Sequence, residues 1–470
     1  MKTSWGPASV LAAVMTALLV VACGGGVGSG GTGAAAQLAS GTVSGFGSVI
    51  VDGQRYDDRR VAPHREDAPG VETLSDVRLG QQVEVEFDDQ GAPTGLHVHT
   101  TLAGAVDTVA APGRFTVLGQ VVQVNTDAAT GPVTQFDGGY TGAADVQPGD
   151  AVEVHGLIVP EGGASIVRAT RVERLAALPA YLKATGIVSA LGANGFQLGA
   201  LSVHTAGAVV VPPGRTLAEG QLVTVFALPT GRSGSADAPQ VQAAEVRIRD
   251  AAAAGTRVTL GGNVAGLDAA GKRFVLGTQV VDYAAATLSP PALALADGQY
   301  VRVSGTLRAD GTLLAERVTL RDGRNEPESE LKGNIIGLDV ATQRFTLRDV
   351  AVDASGVGSI EGCPGGVLAE GLYVQVEGTL GPTGVRAREI SCESEPAGGT
   401  VGRKGTAGSV DAAAHRFVLT TAGGTAVTVA WGDDTFFEGI TAATLDGRRL
   451  EVEGVFDAGV LVARKIHLDD

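Results

Sequence analysis

Six times between Leu79 and Gly454 the chain writes a near-copy of one nine-residue phrase: LGQQVEVEF, PGDAVEVHG, EGQLVTVFA, DGQYVRVSG, EGLYVQVEG and DGRRLEVEG. Repetition at a near-constant interval points to a tandem array of one small folding unit rather than a single large core. Within the phrase, Val301 and Val303 alternate with Arg302 and Ser304, just as Val374 and Val376 alternate with Gln375 and Glu377. That alternation defines a strand with an inward and an outward face. The leading glycine, such as Gly298, suits a turn, and the trailing one, such as Gly305, suits a turn or a bulge. The inward valines and the glycines recur, whereas the outward residues vary: Arg302 and Ser304 in one copy, Glu451 and Glu453 in another. Function is therefore expected in what does not repeat.

Aligned on the phrase, other landmarks fall into step. Each unit opens with a glycine and a short alternating run, at Gly41, Gly104, Gly186, Gly262, Gly333 and Gly405. Five units follow with an aromatic and an apolar residue two apart: Phe115/Val117, Phe196/Leu198, Phe274/Leu276, Phe345/Leu347 and Phe417/Leu419. This spacing puts the pair on the buried face of a strand. The unit ends with an alanine and, three residues on, a β-branched residue: Ala169/Val172, Ala243/Val246, Ala315/Val318, Ala387/Ile390 and Ala463/Ile466. Three residues apart is the wrong parity for one face, so either a bulge restores the register or the alanine meets a close neighbour. With 69 glycines and only 4% aromatic residues, the composition favours short strands and tight turns. Five or six strands in ~65 residues fit a small antiparallel barrel, whose closure removes the free edges of a repeating chain.

The set of landmarks, Gly-x-Val, Phe-x-Val/Leu, Gly-x-x-Val-x-Val-x-Gly and Ala-x-x-Val, resembles domain-of-unknown-function family 5666 (DUF5666), as does the opening unit SGFGSVIVDGQRYD. The resemblance runs from Ser40 to Asp470 and implies an all-β tandem array of six small antiparallel oligonucleotide/oligosaccharide-binding-like (OB-like) barrels. It brings no catalytic residues. The boundaries read as 40–101, 102–178, 183–250, 256–322, 330–394 and 402–470, hereafter modules 1 to 6. Short polar joins between them predict an elongated array with limited bending.

The N-terminus carries its own signals. Residues 1–22 have one Lys2 followed by an apolar run too short for a comfortable membrane span, the pattern of a secretion signal. The ending Val20-Val21-Ala22-Cys23 resembles the lipobox of bacterial lipoproteins, which implies lipidation of Cys23. Gly24 in place of an aspartate implies the periplasmic side of the outer membrane. Residues 23–39 are glycine-rich and read as a flexible tether. Their Gly26-x-Gly28-x-x-Gly31 lacks the preceding strand and following helix of a dinucleotide fingerprint. Loss of Lys2 takes the formal charge from −16 to −17, which disfavours nucleic acid as a partner.

Candidate chemistry is sparse. Cys363 and Cys392 in module 5 are expected to form a disulfide in an oxidising compartment. His97 and His99 point the same way on a strand and are weak metal candidates, with His64, Glu84 and Glu86 in the same module; a closed site needs more ligands. The acid pairs Asp57-Asp58, Asp88-Asp89 and Asp433-Asp434 read as solvated turns. Trp431, with Phe436 and Phe437, is the densest aromatic cluster: a candidate ligand contact or simply core. No hydrolase, metalloprotease, thiol-redox or phosphate-loop motif is present, and no cofactor is expected. The expectation is a non-catalytic envelope scaffold with an unidentified protein or glycan partner. A glycan or small-ligand array is the alternative and an envelope enzyme the third.

Overall fold

The computed structural model describes residues 37–162, 164–249, 252–322, 329–358 and 360–469. The signal segment, Cys23 and most of the tether lie outside the described residues. Gln37, Leu38 and Ala39, read as the end of the tether, belong instead to the first strand, Gln37–Phe46.

Module 2 shows how the repeat folds. The opening strand Leu102–Ala111 pairs antiparallel with Arg114–Val117, which pairs antiparallel with Gln120–Val124. The chain then crosses over, lays down the phrase strand Ala151–Glu161, and returns along the closing strand Ala164–Arg174. The phrase strand pairs back onto the opening strand, and the closing strand runs parallel to the third, so the ring closes. The same order recurs in modules 3, 4 and 6. The molecule is thus all-β, built of small OB-like barrels that are antiparallel except where, in modules 2 to 6, the closing strand runs parallel to the third strand and to a short crossover strand.

The landmarks take on physical roles. The leading glycines Gly80, Gly149, Gly220, Gly298, Gly371 and Gly447 all have φ between 74° and 89°, the left-handed region that favours glycine. Opposite the trailing glycine, the closing strand carries one extra residue: Gly305 pairs with Ala315 while Ser304 pairs with Arg317. The same bulge follows His155, Phe226, Glu377 and Glu453. It restores parity, so Ala315 and Val318 are both buried despite their spacing of three. It also brings the strands so close that a Cβ on Gly305 would sit 2.1 Å from the carbonyl oxygen of Leu314. Phe115, Phe196, Phe274, Phe345 and Phe417 are all buried.

The array is not a string. The first strand, Gln37–Phe46, pairs parallel with Arg257–Leu260 of module 4 and, at its other end, with Glu330–Leu331 of module 5. Modules 1 and 5 share one hydrophobic core, as do modules 2 and 3. Module 1 touches every other module: Thr170 Oγ1 donates to the Gly80 carbonyl, Lys183 Nζ to that of Glu66, and Arg464 Nη2 to that of Asp58. The expected elongated array is therefore corrected to five barrels gathered on module 1. A barrel this small buries too little surface to be robust alone, and the shared cores supply what it lacks.

Candidate functional site: a charged junction between modules

The outward residues of the phrase, free to vary in sequence, are largely not free in space. Glu153, His155, Thr224, Phe226, Tyr300, Glu451 and Glu453 are all buried, most of them against another module. His155 Nδ1 lies 2.8 Å from the His99 carbonyl, and Arg65 of module 1 pairs with Glu153 at 3.3 Å. Lys183 lies over the Phe226 ring, 5.1 Å from its centroid. The bulge adds to this by re-aiming a side chain: the extra residues Thr170 and Arg464 are the ones that reach module 1.

A second device is the tight turn between the second and third strands. In module 1 it is Asp52-Gly53, with φ of 47° and 74°. In module 5 it is Arg348-Asp349, with φ of 49° and 58°, joining Arg344–Leu347 to Val350–Asp353. Two left-handed residues match the twist of the flanking strands, but side chains other than Asn, Asp or Gly are disfavoured there. Arg348 is held by what it touches. Its Nε donates to Glu453 Oε2 at 3.0 Å, and its guanidinium lies over the Phe46 ring at 5.0 Å from the centroid.

Asp349 completes a network across modules 1, 2, 5 and 6. Lys465 Nζ, on the closing strand of module 6, lies 2.5 Å from Asp349, 2.6 Å from Asp76 and 2.9 Å from Glu438. Three carboxylates thereby surround one ammonium with three N–H groups. Arg78 pairs with Glu438 and Asp137, and Arg171 pairs with Asp137 and Glu173. Asp76, Arg78, Asp137, Arg171, Asp349 and Glu438, with Phe46, Gln135, His467 and others, line a cavity of about 420 Å³. That volume is within the range of small-ligand sites, but the walls are far more polar than usual.

Burial opposes charge throughout the network, and the partners decide the outcome. Burial works against ionised Asp349, yet His467 and Lys465 outweigh it and hold the carboxyl well below its ordinary range. Burial also works against a charged His467, but Asp349 outweighs it and raises the imidazole. For Glu451 the help from His467 and Lys404 is outweighed. Burial, reinforced by Asp349 and Glu453, pushes it up to about 8.

The residues singled out by sequence lie elsewhere or play other roles. His97 and His99 share one strand, as the spacing implied; His97 Nδ1 is 3.3 Å from Glu72, and Arg249 Nη2 stands 3.3 Å from His99 Nε2. Burial, then Arg249, drives His99 well down. Among the described residues, the groups of three potential metal ligands are Asp349–Glu451–His467 and Asp76–Asp349–Glu438, and neither contains His97 or His99. Trp431 is 8% exposed, stacked on His415 at 5.5 Å between ring centroids and tilted against Phe417, within the core of module 6. Phe437 packs against that core, and Phe436–Glu438 pairs with the closing strand. Cys363 and Cys392 form a disulfide linking the crossover loop of module 5 to its closing strand. The charged junction carries no sequence motif. Its trace in the sequence is the density of charge at outward positions of module 6: Glu451, Glu453, Lys465 and His467.

Comparison with known proteins places the chain in a family and names no activity. No curated protein matches the chain. Among solved structures, the chain is similar to one described as drosophila Unr CSD456, at 14% identity and a TM-score of 0.15, over 47% of this chain and 98% of that one. The family described as Domain of unknown function (DUF5666) matches at residues 103–173, 261–319, 332–391 and 404–467, segments of modules 2, 4, 5 and 6 that together make up just over half of the sequence. The chain belongs to the DUF5666 family, as a tandem array of its domains.

Proposed function

We propose that the chain is a non-catalytic scaffold of the cell envelope, anchored by lipid on Cys23 at the periplasmic face of the outer membrane and presenting six barrels as one block to an envelope protein or glycan. The observation that carries this reading is the use of the phrase's outward residues. Side chains such as Tyr300, Glu153 and Glu453 dock one module on another, which favours a fixed relative placement of the barrels over independent ligand sites on each. A formal charge of −17 after signal removal argues against nucleic acid despite the OB-like fold.

The 420 Å³ cavity supports a second reading, a small polar ligand bound between modules. Affinity capture from envelope extract, using the full chain and its Cys23→Ala form, tests both readings. An enriched protein partner supports the scaffold, and an enriched glycan or small molecule supports the second reading. Recovery of neither from either form argues against both.

A further inference from the structure

We infer that Asp349, Glu451 and His467 form a divalent-cation site, selective for a zinc-like ion, that clasps module 5 to module 6. His467 Nδ1 lies 3.1 Å from the Leu468 carbonyl, which can only accept, so Nδ1 carries the proton. In the neutral ring Nε2 is then a lone-pair acceptor, the form in which histidine binds metals. Nε2 faces two further acceptors: Asp349 Oδ1 at 3.1 Å and Glu451 Oε2 at 3.8 Å. With the ring neutral and both carboxyls ionised no donor stands among the three, and Nε2 makes no well-directed hydrogen bond although Asp349 is within reach.

The decisive member is Glu451. Its side chain is 6% exposed, and Oε1 is buried with no hydrogen-bond partner. A buried carboxylate without donors is costly unless a cation accompanies it. The competing lysines are engaged elsewhere, Lys465 by Asp76, Asp349 and Glu438 and Lys404 by Asp469, leaving Asp349 Oδ1 on the His467 side. Ligating atoms from the three residues all lie within 4.8 Å of one another.

One nitrogen and two oxygens suit zinc better than calcium or magnesium, which prefer all-oxygen shells. Three protein ligands leave a fourth position for water.

The test uses the full chain without a histidine tag, stripped with chelator and titrated with Zn²⁺ by calorimetry. One equivalent is expected to bind, and Co²⁺ in its place should give the visible bands of a low-coordinate nitrogen–oxygen site. Glu451→Gln, which keeps shape and removes charge, and His467→Gln should each weaken binding by more than the ~100-fold typical of losing an outer-shell partner. His97→Gln/His99→Gln should leave it unchanged. Absence of stoichiometric binding by the wild-type chain overturns the proposal, as does binding that survives Glu451→Gln or is lost in the His97/His99 variant. The wild-type titration and Co²⁺ spectrum hold as tests even if a variant does not fold.

Discussion

Two junctions in this molecule use the same device and arrive at opposite results. At the junction of modules 1 and 4, the turn residue Asp52 reaches the phrase strand of module 4. Its carboxylate accepts from Tyr300 Oη at 2.6 Å and from the Thr42 amide at 3.3 Å, while Arg302 donates to its carbonyl at 2.6 Å. At the junction of modules 5 and 6, the equivalent turn residues Arg348 and Asp349 reach the phrase and closing strands of module 6. The first junction is sealed by glycines: a Cβ on Gly41 or Gly261 would lie 1.9 or 1.8 Å from Asp52 Oδ2. The second is lined by long charged side chains that leave the 420 Å³ cavity. Small residues around a single plug give a closed contact; opposed charges on long stems give an open one that can hold something else.

The contrast is sharpest in how each junction tolerates an added atom. Gly261→Val should be the most disruptive single change, because the new side chain must expel a buried carboxylate or force neighbouring strands apart. Leaving Asp52 buried without its donors, on top of the steric cost, places the loss at roughly 4 kcal/mol or more. The measurement is chemical denaturation of Gly261→Val, Asp52→Ala and the double variant. A double variant no more stable than Gly261→Val alone would show that the glycine is not there to admit Asp52.

At the charged junction the vulnerable element is the ion pair. Arg348→Met leaves Glu453 buried beside Glu451 and should cost about 3–5 kcal/mol, whereas Arg348→Met with Glu453→Leu should recover most of that. An equal loss in the single and double variants would mean that Arg348 acts through its packing on Phe46 rather than through its charge.

These contacts mark where sequence reading stops. Barrel strands, buried phenylalanines and the choice between a bulge and a close neighbour behind Ala-x-x-Val are legible because each depends on a strand's two-residue period, and the module 5 disulfide because only two cysteines follow Cys23. Asp52 and Tyr300 lie 248 positions apart, and nothing local in either marks the pairing. The elongated array was inferred from short joins, on the premise that repeats touch only their neighbours in sequence. Module 1 breaks that premise by pairing its first strand with modules 4 and 5. His97 and His99 stood out as a same-face pair, whereas Asp349, Glu451 and His467 come from three separate stretches of chain and share no spacing.

A pH series separates the junctions again. Asp52 is raised from 3.8 to about 6, first by burial, against which Tyr300, Arg321, Thr42 and Arg302 only partly compensate. The native state therefore holds its proton more tightly than the unfolded chain. The favourable contribution is complete below about pH 3.8 and is lost as pH rises through about 6, a difference of about 3 kcal/mol. Asp52→Asn should gain stability relative to wild type between pH 5 and pH 8. A constant difference over that range would contradict the assignment.

The smallest effect is expected where the open junction receives an added atom. Gly402 lies in the opening strand of module 6, Thr400–Asp411, and its amide donates to Asn334 Oδ1 at 3.1 Å. A Cβ there would meet Ile336 Cδ1 at 3.1 Å and Glu451 Oε1 at 3.9 Å. The first is the tip of a flexible side chain that can yield by a few tenths of an ångström; the second is at ordinary contact distance. Removing a glycine from a strand also lowers the entropy of the unfolded chain, worth about 0.4–1 kcal/mol. The opposing terms are similar in size, so Gly402→Ala should change unfolding free energy by less than about 1 kcal/mol in either direction. Against the loss expected for Gly261→Val, Gly402→Ala and a matched Gly261→Ala give the like-for-like comparison. If both alanines prove equally harmless, Asp52 is not held as tightly between Gly41 and Gly261 as the 1.8 Å clash requires, and the distinction between a sealed and an open junction fails.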